Sequence, residues 1–264
     1  MYDLKPIGIV HSSVTHSHDM PLQGVPAVIR VFDEFLEGLT GIENDTHITV
    51  IGWLHQADRT PLMVRPQKIN PQLEKQGVFS LRSPARPNPL SLTVTRLIRV
   101  VLPQLYVEPF DLIDGSPIVD IKPYSAGWDA VFWARDTHSS YITKHMAEDE
   151  VLAELFREAF NFHGEKCAAI AVAAKIAYDA AQTLDASMRD VDLRLPRNVN
   201  AHLADGLMGA SRATMGNGRL VFSDDPEVRV GIAAKSIDYR VFDIPRTDVQ
   251  MVLQMGCDQL FSKH

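Results

Sequence analysis

At 264 residues the chain can hold one large domain or two modest ones, each with a real core. A net charge of −7 and an isoelectric point near 5.8 exclude an overall basic footprint for nucleic acid, though not a local patch. Cys167 and Cys257 are too few and too far apart for a secreted disulfide framework, no stretch of about 18 apolar residues spans a membrane, and the first residues, "MYDLKPIGIVHSSV", carry no signal-peptide pattern, so a cytoplasmic protein that does not enter membranes is expected.

In chain order, the first half reads as β. Residues 6–11, 47–54, 77–82, 92–102, 104–113 and 117–124 are rich in Val, Ile, Leu and Thr and are separated by Pro, Gly, Asp and Asn. Residues 26–39 read as a strand running into a short helix. Short strands at this spacing predict a small barrel or sandwich. The texture changes after about Asp136. "MAEDEVLAELFREAFNF" (146–162) has apolar residues three and four apart with acids early, and the Ala-rich run 167–184 has high helix propensity. Strand-like runs follow at 190–195, 219–222, 228–234 and 238–242, and a helical pattern covers 247–261. The predicted architecture is a mainly β domain over 1–136 and an α+β domain over 146–264, with the seam at 136–145.

The stretch "GVFSLRSPARPNPLSL" (77–92) raises the first functional question. Pro84, Pro87 and Pro89 fix backbone torsions, so the segment loses little entropy on meeting a ligand. Arg82 and Arg86 carry planar forks suited to carboxylate or phosphate. By itself the loop reads equally as a stiff connection with solvated arginines. Together with "KPIGIVHSSV", "WLHQADR" and "DLIDGSPIVDIKPY", in that order, it resembles the TrmO/TsaA-like methyltransferase family over residues 4–135.

The resemblance implies a small β-barrel that forms a homodimer and holds S-adenosyl-L-methionine in a cleft near the interface. It also implies the cofactor contacts: Pro21, Leu22 and Gln23; His55 and Gln56; Arg82, Arg86, Asn88 and Leu90; and Ile113, Asp114, Gly115 and Ser116. Two departures stand out: Leu22 replaces the family's arginine, and Ser91 replaces a glycine. His55 and Asp114 are the candidate catalytic bases, since an amide-like nitrogen acceptor must lose a proton. Lys122 and Tyr124, in the last motif, are assigned to the substrate.

In the second half, "FHGEKC" (162–167) and "DGLMGASRATMGNGRLVF" (205–222) resemble the FmdE family of small α+β modules that bind a metal or a small ligand. Here Glu165 replaces the family's second histidine, Ala168 its proline, and Ala213 its later cysteine. His163 and Cys167 are four apart, a spacing that one helix would put on one face. Two ligands do not make a structural zinc site. His202 and Asp205 are candidates to replace the missing cysteine, and no metal is assigned. His163, Cys167 and Asp205, with the 205–218 loop, are instead expected to wall a substrate pocket.

The expected function is S-adenosylmethionine-dependent methyl transfer to a small-molecule acceptor. A tRNA acceptor, methylated on the exocyclic nitrogen of threonylcarbamoyl-adenosine beside the anticodon, is the runner-up. Net charge, Leu22 and the second domain count against it, because phosphate contacts dominate RNA affinity. A non-catalytic ligand or metal carrier is the reading from another class.

Overall fold

In β3 (His47–Trp53) every second residue, Ile48, Val50 and Gly52, is buried, as a half-covered strand requires. The same alternation buries Ala27, Ile29 and Val31 of β2 (Val25–Val31) and Leu105 and Val107 of β7 (Gln104–Phe110). With β1 (Gly8–Ser12), β6 (Leu90–Val101) and β8 (Pro117–Pro123) these strands close an antiparallel barrel in the order β1-β2-β7-β6-β3-β8. Their inward residues form one apolar core, with Ile29, Leu105 and Ile118 fully covered. The computed structural model describes residues 3–68, 72–131, 134 and 147–264. The chain divides into two compact units, Met1–Val131 and Phe132–His264. The expected seam at 136–145 lies outside the described residues.

Topology decides what meets at each end of the barrel. The connections β1–β2 (13–24), β3–β6 (54–89) and β7–β8 (111–116) all emerge at one end. The connections 32–46 and 102–103 emerge at the other. A short ladder, β4 (Met63–Val64) with β5 (Gln76–Gly77), stiffens the long loop. One expectation is corrected there. Residues 77–82 are not a barrel strand: β5 stops at Gly77 and a 3₁₀ turn covers Val78–Ser80. Val78 is the buried anchor of that turn, while the neighbouring Phe79 is exposed. After β8 the chain makes one helical turn, α1 (Ala126–Asp129).

The second unit packs helices on a five-stranded sheet. Helix α2 (Glu148–His163) opens with Glu148, Asp149 and Glu150, acids that suit the positive end of a helix dipole, and ends at Gly164, which takes the left-handed φ of 91°. Helix α3 (Ala168–Leu184) is the Ala-rich run, buried along most of its length. Its one buried cation, Lys175, donates to the Met255 carbonyl at 2.6 Å. Strand β9 (Asp192–Pro196) leads into α4 (Ala201–Ser211), whose Asn200 cap accepts from the Leu203 amide. Then come β10 (Leu220–Ser223), β11 (Val228–Ile232), β12 (Lys235–Val241), α5 (Val249–Gln254) and β13 (Phe261–Lys263). The sheet order is β10-β9-β11-β12-β13, parallel only at β10–β9.

Two more expectations change here. The stretch beginning at 205 is helical up to Ser211, not a loop. The C-terminal helical pattern is shorter than 247–261, because Leu260 and Phe261 are drawn into the core and the chain ends as a sheet edge.

Candidate functional site at one end of the barrel

All the cofactor residues expected from the sequence belong to the three loops at one barrel end or border them. Pro21, Leu22 and Gln23 lie in 13–24, where the Gly24 amide closes a turn on the Pro21 carbonyl at 3.0 Å. His55 and Gln56 follow β3 in a turn, both exposed. Arg82, Arg86 and Asn88 lie in the proline-rich segment, which delivers Leu90 into β6. Ile113 to Ser116 form the tight turn before β8, with Gly115 at a left-handed φ of 75°.

Hydrogen bonds tie these loops to one another. The Asp114 carboxylate accepts the Ser12 amide at 3.0 Å, and the Asp114 amide donates to the Val14 carbonyl at 2.7 Å. Gln56 donates to the Thr15 carbonyl at 3.2 Å. The Lys68 ammonium donates to the Ser17 and Met20 carbonyls at 2.8 and 2.7 Å, and partial burial holds its pKa below the ordinary lysine value. Arg59 donates to the Pro87 carbonyl at 3.2 Å and lies over the Trp53 ring. Sequence reading missed Ser12, Arg59 and Lys68, because Ser12 acts through its own amide and the two cations through carbonyls remote in sequence.

The two arginines of the proline-rich segment differ in kind. Arg86 donates to the carbonyls of Ser83, Val78 and Leu81 at 2.8, 3.1 and 2.6 Å, so it braces its own loop. Arg82 is exposed and makes no hydrogen bond or ion pair with the described residues. The side chains of His55 and Asn88 are likewise exposed and without a hydrogen-bond partner among the described residues, although the Asn88 carbonyl accepts the Leu90 amide at 2.7 Å. Asp114 has one oxygen committed to Ser12, and His11 stands 4.0 Å from that same oxygen. Ser116 is buried, and its amide and carbonyl build the turn, bonding Ile113 and Val10. Ser91, the departure from the family glycine, uses its hydroxyl to accept the Gly52 amide at 3.2 Å, where β3 shifts register against β8.

Lys122 and Tyr124 are not at this end. Lys122 is paired in register with Thr49, and the Tyr124 amide donates to the His47 carbonyl, so both sit where β3 begins. His55 lies six residues beyond Thr49 and eight beyond His47, roughly 20 and 26 Å along the strand direction. Lys122 forms an exposed ion pair with Asp120 at 2.9 Å. The Tyr124 ring stands edge-on to His47, whose pKa is lowered by burial and then by the Arg96 charge.

His163, Cys167 and Asp205 do come together, within the second unit. They are not on one helix. His163 ends α2, the left-handed Gly164 reverses the chain, and Cys167 stands immediately before α3. His163 Nδ1 lies 3.0 Å from the Asp205 carboxylate, and Cys167 Sγ lies 3.6 Å from His202 Nδ1. A groove of about 870 Å³ in this unit, lined by Asn200, Tyr239, Phe242 and Arg246 among others, does not include them.

Residues 9–130 match the family model described as the tRNA-methyltransferase O N-terminal domain. An Archaeoglobus fulgidus protein, "Probable S-adenosyl-L-methionine-binding protein", is 32% identical over 233 residues, covering 85% of this chain and 62% of its own length. That alignment is too long for the barrel alone and reaches into the second unit. The chain thus spans less than two thirds of that relative. A second Archaeoglobus fulgidus protein, "S-adenosyl-L-methionine-binding protein", is 43% identical over 132 residues, which is 48% of this chain and 93% of the relative. A crystal structure of TrmO from Pseudomonas aeruginosa is 29% identical, covering 52% of this chain and 62% of that one, with a TM-score of 0.43. On the family match and the 43% identity across nearly the whole of a relative, the chain belongs to the tRNA-methyltransferase O N-terminal domain family.

Proposed function

We propose that the chain is a methyltransferase whose barrel holds S-adenosyl-L-methionine among the three loops at one end. The observation that carries this reading is the convergence there of Gln23, His55, Arg82, Asn88 and Gly115, from segments far apart in sequence. The names of the two Archaeoglobus relatives support it. The residues suit the cofactor. The side chains of Arg82, His55 and Asn88 are exposed and not engaged by the described residues, and the space beside Gly115, where a side chain would stand, is open. When bound, the cofactor supplies a methyl group on a sulfonium that is already activated.

The protein's part is then positioning, with reacting atoms held about 3–3.5 Å apart and in line. Arg82 offers a charge-assisted fork to the methionine carboxylate. The braces from Arg86, Arg59 and Lys68 keep that fork in place. His55 is the better of the two base candidates, because Asp114 spends an oxygen on Ser12. The barrel works as a homodimer in this reading, and a reducing, cytoplasmic setting suits the free thiols of Cys167 and Cys257.

A small-molecule acceptor is the first reading, resting on the −7 charge and on Leu22. A tRNA acceptor is the second, and one observation favours it. The loop 54–89 carries Arg59, Arg65, Lys68, Lys75, Arg82 and Arg86 against Asp58 and Glu74. The other two loops add Asp19, Asp111 and Asp114, so this end is near neutral while the whole chain is acidic. The FmdE-like reading of the second unit stays with the first acceptor, as the part that would bind it.

Calorimetric titration with S-adenosylmethionine tests the core claim, and absence of binding would leave only the carrier reading. Transfer of labelled methyl to tRNA bearing threonylcarbamoyl-adenosine, at about 1 s⁻¹ or faster, would select the second acceptor over the first.

A further inference from the structure

The middle of the loop 13–24 is held by a residue far from it in sequence. The Lys68 ammonium donates to the Ser17 carbonyl at 2.8 Å and to the Met20 carbonyl at 2.7 Å, across 51 and 48 positions. We propose that Lys68 is a positioning residue for S-adenosyl-L-methionine: it latches this loop to the loop 54–89 and so fixes Pro21–Gln23 in the form that receives the cofactor. This rests on the reading of the barrel end as the cofactor site, and it adds a residue that no sequence motif supplied.

The loop is anchored at both ends. Its first residues are tied down by the Asp114 amide on the Val14 carbonyl and by Gln56 on the Thr15 carbonyl. Gly24 fixes the other end. At its φ of 76° a Cβ would stand 2.7 Å from the Phe110 carbonyl, so the chain there runs directly against β7. Between these ends lie two turns closed within the loop, the Asp19 amide on the His16 carbonyl at 3.1 Å and the Gly24 amide on the Pro21 carbonyl at 3.0 Å. Such bonds set the local shape of the loop but not its place on the barrel.

Lys68 supplies the place. Among the described residues no backbone amide takes the Ser17 or the Met20 carbonyl. Two carbonyls that converge on one point suit an ammonium, a compact charge with three donors. The Met20 side chain is buried, at 7% exposure, so residue 20 is held by packing as well as by the latch. Pro21–Gln23 therefore run from one fixed point, Met20, to another, Gly24. The Asp19 charge draws the ammonium to the same loop and opposes the effect of burial on its pKa. On its own side Lys68 follows the β4–β5 ladder, and the Gln67 amide on the Arg65 carbonyl at 2.8 Å turns the chain just before it.

A segment that is competent only part of the time lowers apparent affinity by that fraction. Lys68 acts on the loop and not on the transferred methyl, so the cofactor and its demethylated product should feel its loss alike.

The test is calorimetric titration of full-length Lys68→Met and Lys68→Arg with S-adenosylmethionine and with S-adenosylhomocysteine, together with amide exchange of the cofactor-free proteins. Lys68→Met keeps an apolar stem and removes the donor. It should bind both ligands roughly 10-fold more weakly, the low end for a lost charge-assisted bond. The Asp19 and Gly24 amides should exchange faster in it, while Val50, in the β3 ladder, keeps its rate. Lys68→Arg, with an N–H for each carbonyl, should recover most of the affinity. Unchanged affinity in Lys68→Met would overturn the proposal. So would Lys68→Arg binding as weakly as Lys68→Met, a loss confined to one of the two ligands, or faster exchange at Val50 as well, which marks support of the whole barrel rather than of the loop. Failure of the unaltered protein to bind either ligand is a different result: it removes the cofactor reading of the barrel end, and the latch with it.

Discussion

Two arginines four residues apart do different work, and this sets the first prediction. Arg86 spends its guanidinium on three carbonyls of its own loop, whereas Arg82 is exposed and uncommitted. Arg82→Ala should leave the melting temperature unchanged and weaken S-adenosylmethionine binding by about 1.5–3 kcal/mol, the value of a charge-assisted bond. Arg86→Ala should lower the melting temperature first, since three carbonyls lose their donor. Calorimetry and thermal unfolding of both variants check this, and a reversed pattern would exchange the two roles. Acid sensitivity is also read at this scale. The fork from Arg229 to Asp238, at 2.6 and 2.9 Å, holds the Asp238 pKa below the ordinary carboxylate value. The unfolded chain returns it to about 3.9. The pair's contribution is therefore present above about pH 4 and is lost as pH falls through the depressed folded value. Thermal unfolding of Asp238→Asn should show a smaller loss of stability between pH 5 and pH 2 than the unaltered protein.

At the scale of elements, α4 shows why part of the second unit was not legible in the sequence. Gly206 and Gly209 are poor helix formers, so "DGLMGAS" reads as a loop. What makes it helical is tertiary: two glycines are the condition for lying flush on α2 and α3. Gly209→Ala should therefore destabilise. The propensity gain of up to about 1 kcal/mol is outweighed by an overpacking cost of about 1–3 kcal/mol, because the new Cβ meets the Glu158 carbonyl and the Ala159 Cα, which are helix backbone. Urea unfolding measures the sign. The barrel strands were legible because their alternation is local. Val78–Ser80 was not, since a 3₁₀ turn anchored by Arg86 borrows the look of a strand. The loop residues were singled out through a family resemblance, and the structure adds why they meet: strand order sends their loops to one end. His202 was named only as a stand-in, because its approach to Cys167 depends on helix packing that no local pattern encodes.

For the whole molecule, the outer face of β6 matters most. Leu92, Val94 and, beyond the exposed Arg96, Ile98 are 57%, 47% and 52% exposed, an apolar stripe, broken by one charge, that solvent does not favour. A homodimer through the barrel would cover it, with at least about 1,000 Å² buried. Ile98→Glu should give a folded monomer by light scattering. If the unaltered protein is itself monomeric at micromolar concentration, this assignment of the stripe is wrong. The closure of the barrel has a consequence of another kind. Its seam, β1 with β8, is held by two registered pairs, Gly8–Ile118 and Ile9–Pro117, against seven between β3 and β6. A ring parts where it is thinnest. The turn Ile113–Ser116 lies across that seam, with the Gly115 amide on the Val10 carbonyl and the Val10 amide on the Ser116 carbonyl. A molecule that grips this turn therefore acts as a clasp on the hoop. Amide hydrogen exchange at Val10 and Ser12 should slow when S-adenosylmethionine is added, while Val50 and Val94, deep in the longer ladder, keep the same rate.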